Sequence, residues 1–129
     1  MRTGEKMSET ISAQQILDEN GWTESDISKT NLEYLIDNAI NYINLQTGLS
    51  ISNLSGSAGS KTVSVTKQQA VIIKALTALL VRAYLEKGPD ASVAGLNVQA
   101  LTDDPHFQVF LKLIDDGISR LRGRYFKRV

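Results

Sequence analysis

The chain has no cysteine in its 129 residues, which excludes disulfide frameworks, thiolate nucleophiles and cysteine metal sites together. It has one histidine, His106, so most of the remaining metal chemistry goes as well. The opening residues, MRTGEKMSE, carry charges and no apolar stretch. No secretion signal is expected there, and the cytoplasm or an assembled particle is the expected place of work. Met7 offers an alternative start that makes residues 1–6 dispensable. Net charge is also missing, yet it is unevenly spread: residues 1–60 hold three bases (Arg2, Lys6, Lys29) against eight acids, and the last ten residues hold five bases and no acid. Such ends suit a head-to-tail contact between copies, or are simply solvated surface. What is present, 42% hydrophobic and 22% charged residues, is ordinary globular material over a length that buries one core but not two.

The longest apolar run, residues 66–87 (TKQQAVIIKALTALLVRAYLEK), organises the rest. Val71, Ile72, Ala75, Leu76, Leu79, Leu80 and Ala83 recur at helical spacing. Ile73, Ala78, Val81 and Tyr84 widen that stripe beyond one face, which predicts a central helix with neighbours on several sides. Thr66 with Gln69 has capping-box spacing, and Gly88-Pro89 is a stop. Lys74 and Arg82 argue against a membrane span, because a charge at mid-bilayer costs about 2.5 to 3.5 kcal/mol.

In chain order, Ser12 and Gln15 open a short helix that ends at Asn20-Gly21. Trp22 and Ile27 follow in a polar loop, where Trp22 is expected to cover the edge of the core. Thr30 with Glu33 begins a second helix with a single apolar stripe of Leu32, Leu35, Ile36, Ala39, Ile40 and Ile43, ended by Gly48. Glu33, Asp37, Asn38, Asn41 and Asn44 fall on its other faces and read as solvated. Between residues 49 and 65, Leu49 and Ile51, then Val63 and Val65, alternate with small polar residues around the tip SGSAGS. This is a weak hairpin signal with a tip too small to pack, hence expected to be mobile. The stretch DASVAGLNVQALT, with Val93, Leu96, Val98 and Leu101, reads as a covering loop. Asp103, Asp104 and Pro105 then open a fourth helix whose stripe of Phe107, Phe110, Leu113, Ile114, Ile118 and Leu121 lasts to Gly123.

The expected fold is mainly α: a small four-helix bundle-like domain over residues 12–123, with a long loop or weak β-hairpin between the second and third helices. Residues 1–11 read as a flexible tail and 124–129 as a basic-aromatic tail. Leu76, Leu79, Leu80, Ile36, Ile40, Phe110, Leu113 and Ile114 are the expected core.

Chemistry is hard to find in this chain. SGSAGSKT, residues 55–62, approaches a phosphate loop but puts Ser55 and Ser60 where the motif needs glycine, and Val63 to Val65 separate it from the next helix. The acid pairs Asp103-Asp104 and Asp115-Asp116 read as helix capping and wet helix surface, with no histidine at ligand spacing. His106 reads as a surface or edge side chain. No nucleophile-base pair and no ligand cluster appears, so neither an enzyme nor a cofactor is expected.

The order of a capped helix NLEYLIDNAINYINLQTG, a long loop, the helix QQAVIIKALTALLVRAYLEKGP and a C-terminal helix with a basic end resembles the head-tail connector adaptors of tailed phages and prophages. The resemblance is clearest over residues 30–89. It implies a subunit that joins a ring, dodecameric in finished particles, beneath the portal protein of the DNA-filled head. Such a ring extends the DNA channel, touches the passing DNA without sequence preference and seats a stopper or tail completion protein. It also implies that Ser55, Gly56, Ser57, Gly59 and Lys61 line the channel or contact a neighbouring adaptor subunit. Arg122, Arg124, Tyr125, Phe126, Lys127 and Arg128 would then dock on the portal or a neighbour, unless Tyr125 and Phe126 fold back on their own bundle. Two other readings stand beside it: a small helical DNA-binding module using the basic tail, and a regulatory module that takes a partner helix in a bundle groove.

Overall fold

The computed structural model describes residues 8–87 and 105–126. Among them the chain forms β1 (Ser8–Ser12), α1 (Ala13–Asn20), α2 (Lys29–Thr47), β2 (Thr62–Thr66), α3 (Lys67–Lys87) and α4 (Pro105–Phe126). The domain is mainly helical, as its periodicity predicts, with one small two-stranded antiparallel sheet.

Local signals set several boundaries. The Ser12 side chain accepts from Gln15 N at the start of α1, and Gly21, at φ 72°, closes that helix in the left-handed region where glycine has no steric cost. At α3 the capping box is complete in both directions: Thr66 Oγ1 accepts from Gln69 N at 3.2 Å, and Gln69 Oε1 accepts from Thr66 N at 3.1 Å. At α2 the cap is Ser28, whose hydroxyl accepts from Asn31 N, so the helix begins one residue before Thr30.

The core is built where α2 and α3 pack together, with α1, the sheet and α4 around them. Leu32, Leu35, Ile36, Ile40 and Ile43 from α2 and Ile73, Leu76 and Leu80 from α3 are fully enclosed. Each such side chain contributes about 1.5 to 3 kcal/mol, more than any surface ion pair in the molecule. Ile27 joins them, and Trp22 packs against the core edge. Helix α3 is long and apolar enough to cross a membrane by length and composition alone. Its middle, however, carries Lys74, paired to Glu9 of β1 at 3.4 Å and Glu19 of α1 at 3.2 Å.

Four expectations are corrected. Ser8 to Ile11 are strand and not flexible tail: β1 pairs antiparallel with β2, Ile11 opposite Val63 and Glu9 opposite Val65, so the inward side chains of both strands face the core. Val63 and Val65 therefore pair with the N-terminal segment and not with Leu49 and Ile51, and the hairpin shrinks to one bridge between Ser55 and Thr62. Helix α4 runs through Gly123 to Phe126, which moves the start of the basic-aromatic tail past three of its expected residues. Leu113, placed in the core from its spacing, is 64% exposed, whereas Ile114 beside it is buried. The side chain of Phe110 and the whole of residues 88–104 lie outside the described residues.

Candidate functional site

The residues expected to form a mobile loop are instead fastened along α2. Polar side chains spaced four, four and three apart on that helix, Glu33, Asp37, Asn41 and Asn44, form a ladder that meets the returning chain in antiparallel order. Asn44 Nδ2 donates to Ile51 O at 2.9 Å, while its Oδ1 accepts from Ile51 N at 2.9 Å. Asn53 donates to Asn41 Oδ1 at 3.1 Å, and Leu54 N donates to Asp37 Oδ1 at 2.9 Å. Glu33, buried at 3% exposure, accepts from Gly59 N and Lys61 N, both at 2.9 Å. Leu54 is buried as well. The spacing of the ladder was visible in the sequence, but a polar stripe on a helix is usually solvated, and nothing local told a solvated stripe from a gripping one.

Of the loop residues singled out from sequence, Gly59 and Lys61 take part through their backbone amides. Ser55 closes the base of the loop by exchanging two backbone bonds with Thr62 at 3.0 Å, and Gly56 and Ser57 lie in the turn between them. Lys61 N points at a carboxylate of the chain itself. Beside the loop, Leu49, Ser50, Ile51, Ser52, Ser64 and Gln69 line an open cleft of about 330 Å³.

A second surface lies between α3 and α4. The two helices approach closely where Gly117 sits over Ile72: a Cβ on Gly117 would come within 2.5 Å of Ile72 Cδ1. Further along, Ala75, Ala78, Leu79, Arg82, Leu113 and Ile114 line a cleft of about 310 Å³. On the same two helices Val71 of α3 and Val109 and Leu113 of α4 are exposed, at 63%, 66% and 64%, and of these Leu113 lines the cleft. The buried Leu79 and Ile114, the two alanines and the exposed Leu113 make an apolar groove. Arg82 is exposed on that face.

Across the other side of α4, Tyr42 Oη donates to Asp115 Oδ1 at 3.3 Å, so the first acid of the Asp115-Asp116 pair has a partner on α2. Burial first, then the charge of Asp115 and the bond to it, hold the Tyr42 hydroxyl above its ordinary value. Asp103 and Asp104 lie outside the described residues, as do Lys127 and Arg128. Arg122, Arg124, Tyr125 and Phe126 are on the last turns of α4, and their side chains are outside the described set, as is that of His106. No group of three or more potential metal ligands occurs among the described residues. Set against known proteins, the chain matches no family model, no curated protein and no solved structure.

Proposed function

We propose that this chain is a structural assembly protein, an adaptor of the head-tail interface of a tailed phage or prophage. In this role it joins a ring beneath the portal protein and extends the DNA channel towards the stopper and tail. The observation that carries the reading is the apolar groove between α3 and α4, lined by Ala75, Ala78, Leu79, Leu113 and Ile114, with Val71, Val109 and Leu113 exposed on the same two helices among the described residues. A subunit that works by association needs such a face, because burying exposed apolar surface is the main source of association free energy. The order of elements over residues 30–89, which resembles that of connector adaptors, supplies the particular assembly. The same groove also favours a second reading, a module that takes the apolar face of a partner helix.

The test is recruitment. Purified protein is mixed with portal-bearing, DNA-filled heads, and bound subunits are counted after sedimentation and viewed by electron microscopy. A ring at the portal vertex is expected, weakened at least tenfold by Leu113→Asp. Absence of the protein from sedimented heads, with the variant and the parent alike, refutes the adaptor reading and leaves the partner-helix module.

A further inference from the structure

We propose that residues 59–61 form a carboxylate-binding cradle whose resident ligand is the chain's own Glu33. One backbone amide meets each oxygen: Gly59 N lies 2.9 Å from Oε1, and Lys61 N lies 2.9 Å from Oε2. Two N–H groups on two oxygens is the grip that suits a planar, bidentate anion. The shape of the loop rests on bonds that do not involve Glu33. Ser55 and Thr62 exchange two backbone bonds at 3.0 Å across its base, Ser60 N donates to Ser57 O at 2.8 Å, and Gly56 and Gly59 take φ of 122° and 88°, which turn the chain tightly. A cradle held open by its own turns is a binding site and not merely a hydrogen-bonded contact.

The occupant has the chemistry of a ligand. Glu33 is 3% exposed, and among the described residues no lysine or arginine lies within ion-pair distance of its carboxylate. Among the described residues the two amides meet the charge, which in a buried place is costly unless hydrogen-bonded. The stretch that falls short of a phosphate loop by its glycine spacing thus uses the same physics, backbone amides converging on an oxyanion, with an internal anion in place. On this proposal the site has two conditions. It is filled by Glu33 in the structure, and with that carboxylate removed it would take one from outside, such as an acidic side chain or a chain terminus. This inference stands independently of the assembly role.

The test is chemical rescue. Glu33→Ala removes the internal carboxylate, and sodium formate is the probe, with sodium chloride at equal ionic strength as the control. Two quantities are followed: the melting temperature, and the amide resonances of Gly59 and Lys61. In chloride the variant should melt well below the parent. Formate should restore part of the loss along a saturating curve, as a ligand that binds only the folded state must, and should shift the Gly59 and Lys61 amides downfield. The parent, its cradle filled, should show neither response. If the variant does not fold in chloride, it is diluted from urea into formate, and return of the helical signal supports the cradle. A melting temperature no more sensitive to formate than that of the parent, unmoved Gly59 and Lys61 amides, or no recovery from urea at any formate concentration overturns it.

Discussion

The loop of residues 49–61 and helix α4 both lie against α2, and they are attached by opposite means. The loop is stitched by side chains of Glu33, Asp37, Asn41 and Asn44 that reach mostly backbone groups, and its apolar contribution is the buried Leu54, with the half-buried Ile51 packed against the core. Helix α4 leans on the core through Ile114 and Ile118, approaches α3 at Gly117 and adds the Tyr42 to Asp115 bond, while Val109 and Leu113 stay in solvent. Among the described residues, polar side chains fasten one side of the domain, and apolar ones on the other are left partly exposed. The usual equation of polar with outside and apolar with inside fails on both sides, for reasons that can be tested separately.

The sharpest contrast is between two leucines. Leu80 has no exposed surface, so Leu80→Asp buries an unpaired carboxylate at a cost of several kcal/mol against a total stability of about 5 to 15. The expected outcome is loss of the cooperative thermal transition followed by circular dichroism. On the stitched side, Asn44→Ala removes two bonds to Ile51 and leaves both of its backbone groups without their partner, for a loss of about 1 to 3 kcal/mol in urea denaturation. A loss below the error of that measurement would mean the loop is held by the packing of Ile51 and Leu54 and not by the ladder.

On the α4 side, the pH dependence of stability isolates the Tyr42 bond. The folded hydroxyl titrates above its ordinary value of 10.0, mainly through burial and then through Asp115. The folded state therefore retains the proton where the unfolded chain has begun to lose it, so the stabilisation is fully present below that value and is lost as pH rises above it. Tyr42→Phe should make the fall in melting temperature above pH 10 shallower than in the parent, with little change at neutral pH. The smallest effect belongs to Leu113→Asp, at a position 64% exposed: a change in folding stability within about 0.5 kcal/mol, read from the same urea titration. A larger loss would mean that the α3–α4 groove is part of the core and free of no partner.

Legibility in the sequence followed the range of the interaction. The Thr66 and Gln69 capping box, the Ser12 cap and the α2 stripe could be read because each is decided within a turn or two of helix. The pairing of β1 with β2 could not, since it joins residues separated by more than a third of the chain and competes with a nearer hairpin that the alternation of Leu49 and Ile51 favours. Glu33 is illegible for a different reason. A carboxylate on a helix is normally hydrated, and only the arrival of the Gly59 and Lys61 amides makes its burial affordable. Leu113 fits the helical period as well as Ile114 does, and what separates them is how far α4 tilts against its neighbours, which periodicity does not encode.

The ladder on α2 has a consequence for how freely this protein can change. It grips the loop through the main chain at Ile51, Leu54, Gly59 and Lys61, so what it recognises is the path of the backbone and not the identity of most side chains upon it. The side chains of Ser52, Ser55, Ser57, Ala58 and Ser60 point away, exposed and ungripped. Their replacement by other residues leaves the fastening intact, while a single change at Glu33 or Asn44 does not. The molecule thus carries a stretch of rewritable surface held at a fixed position by an unforgiving anchor.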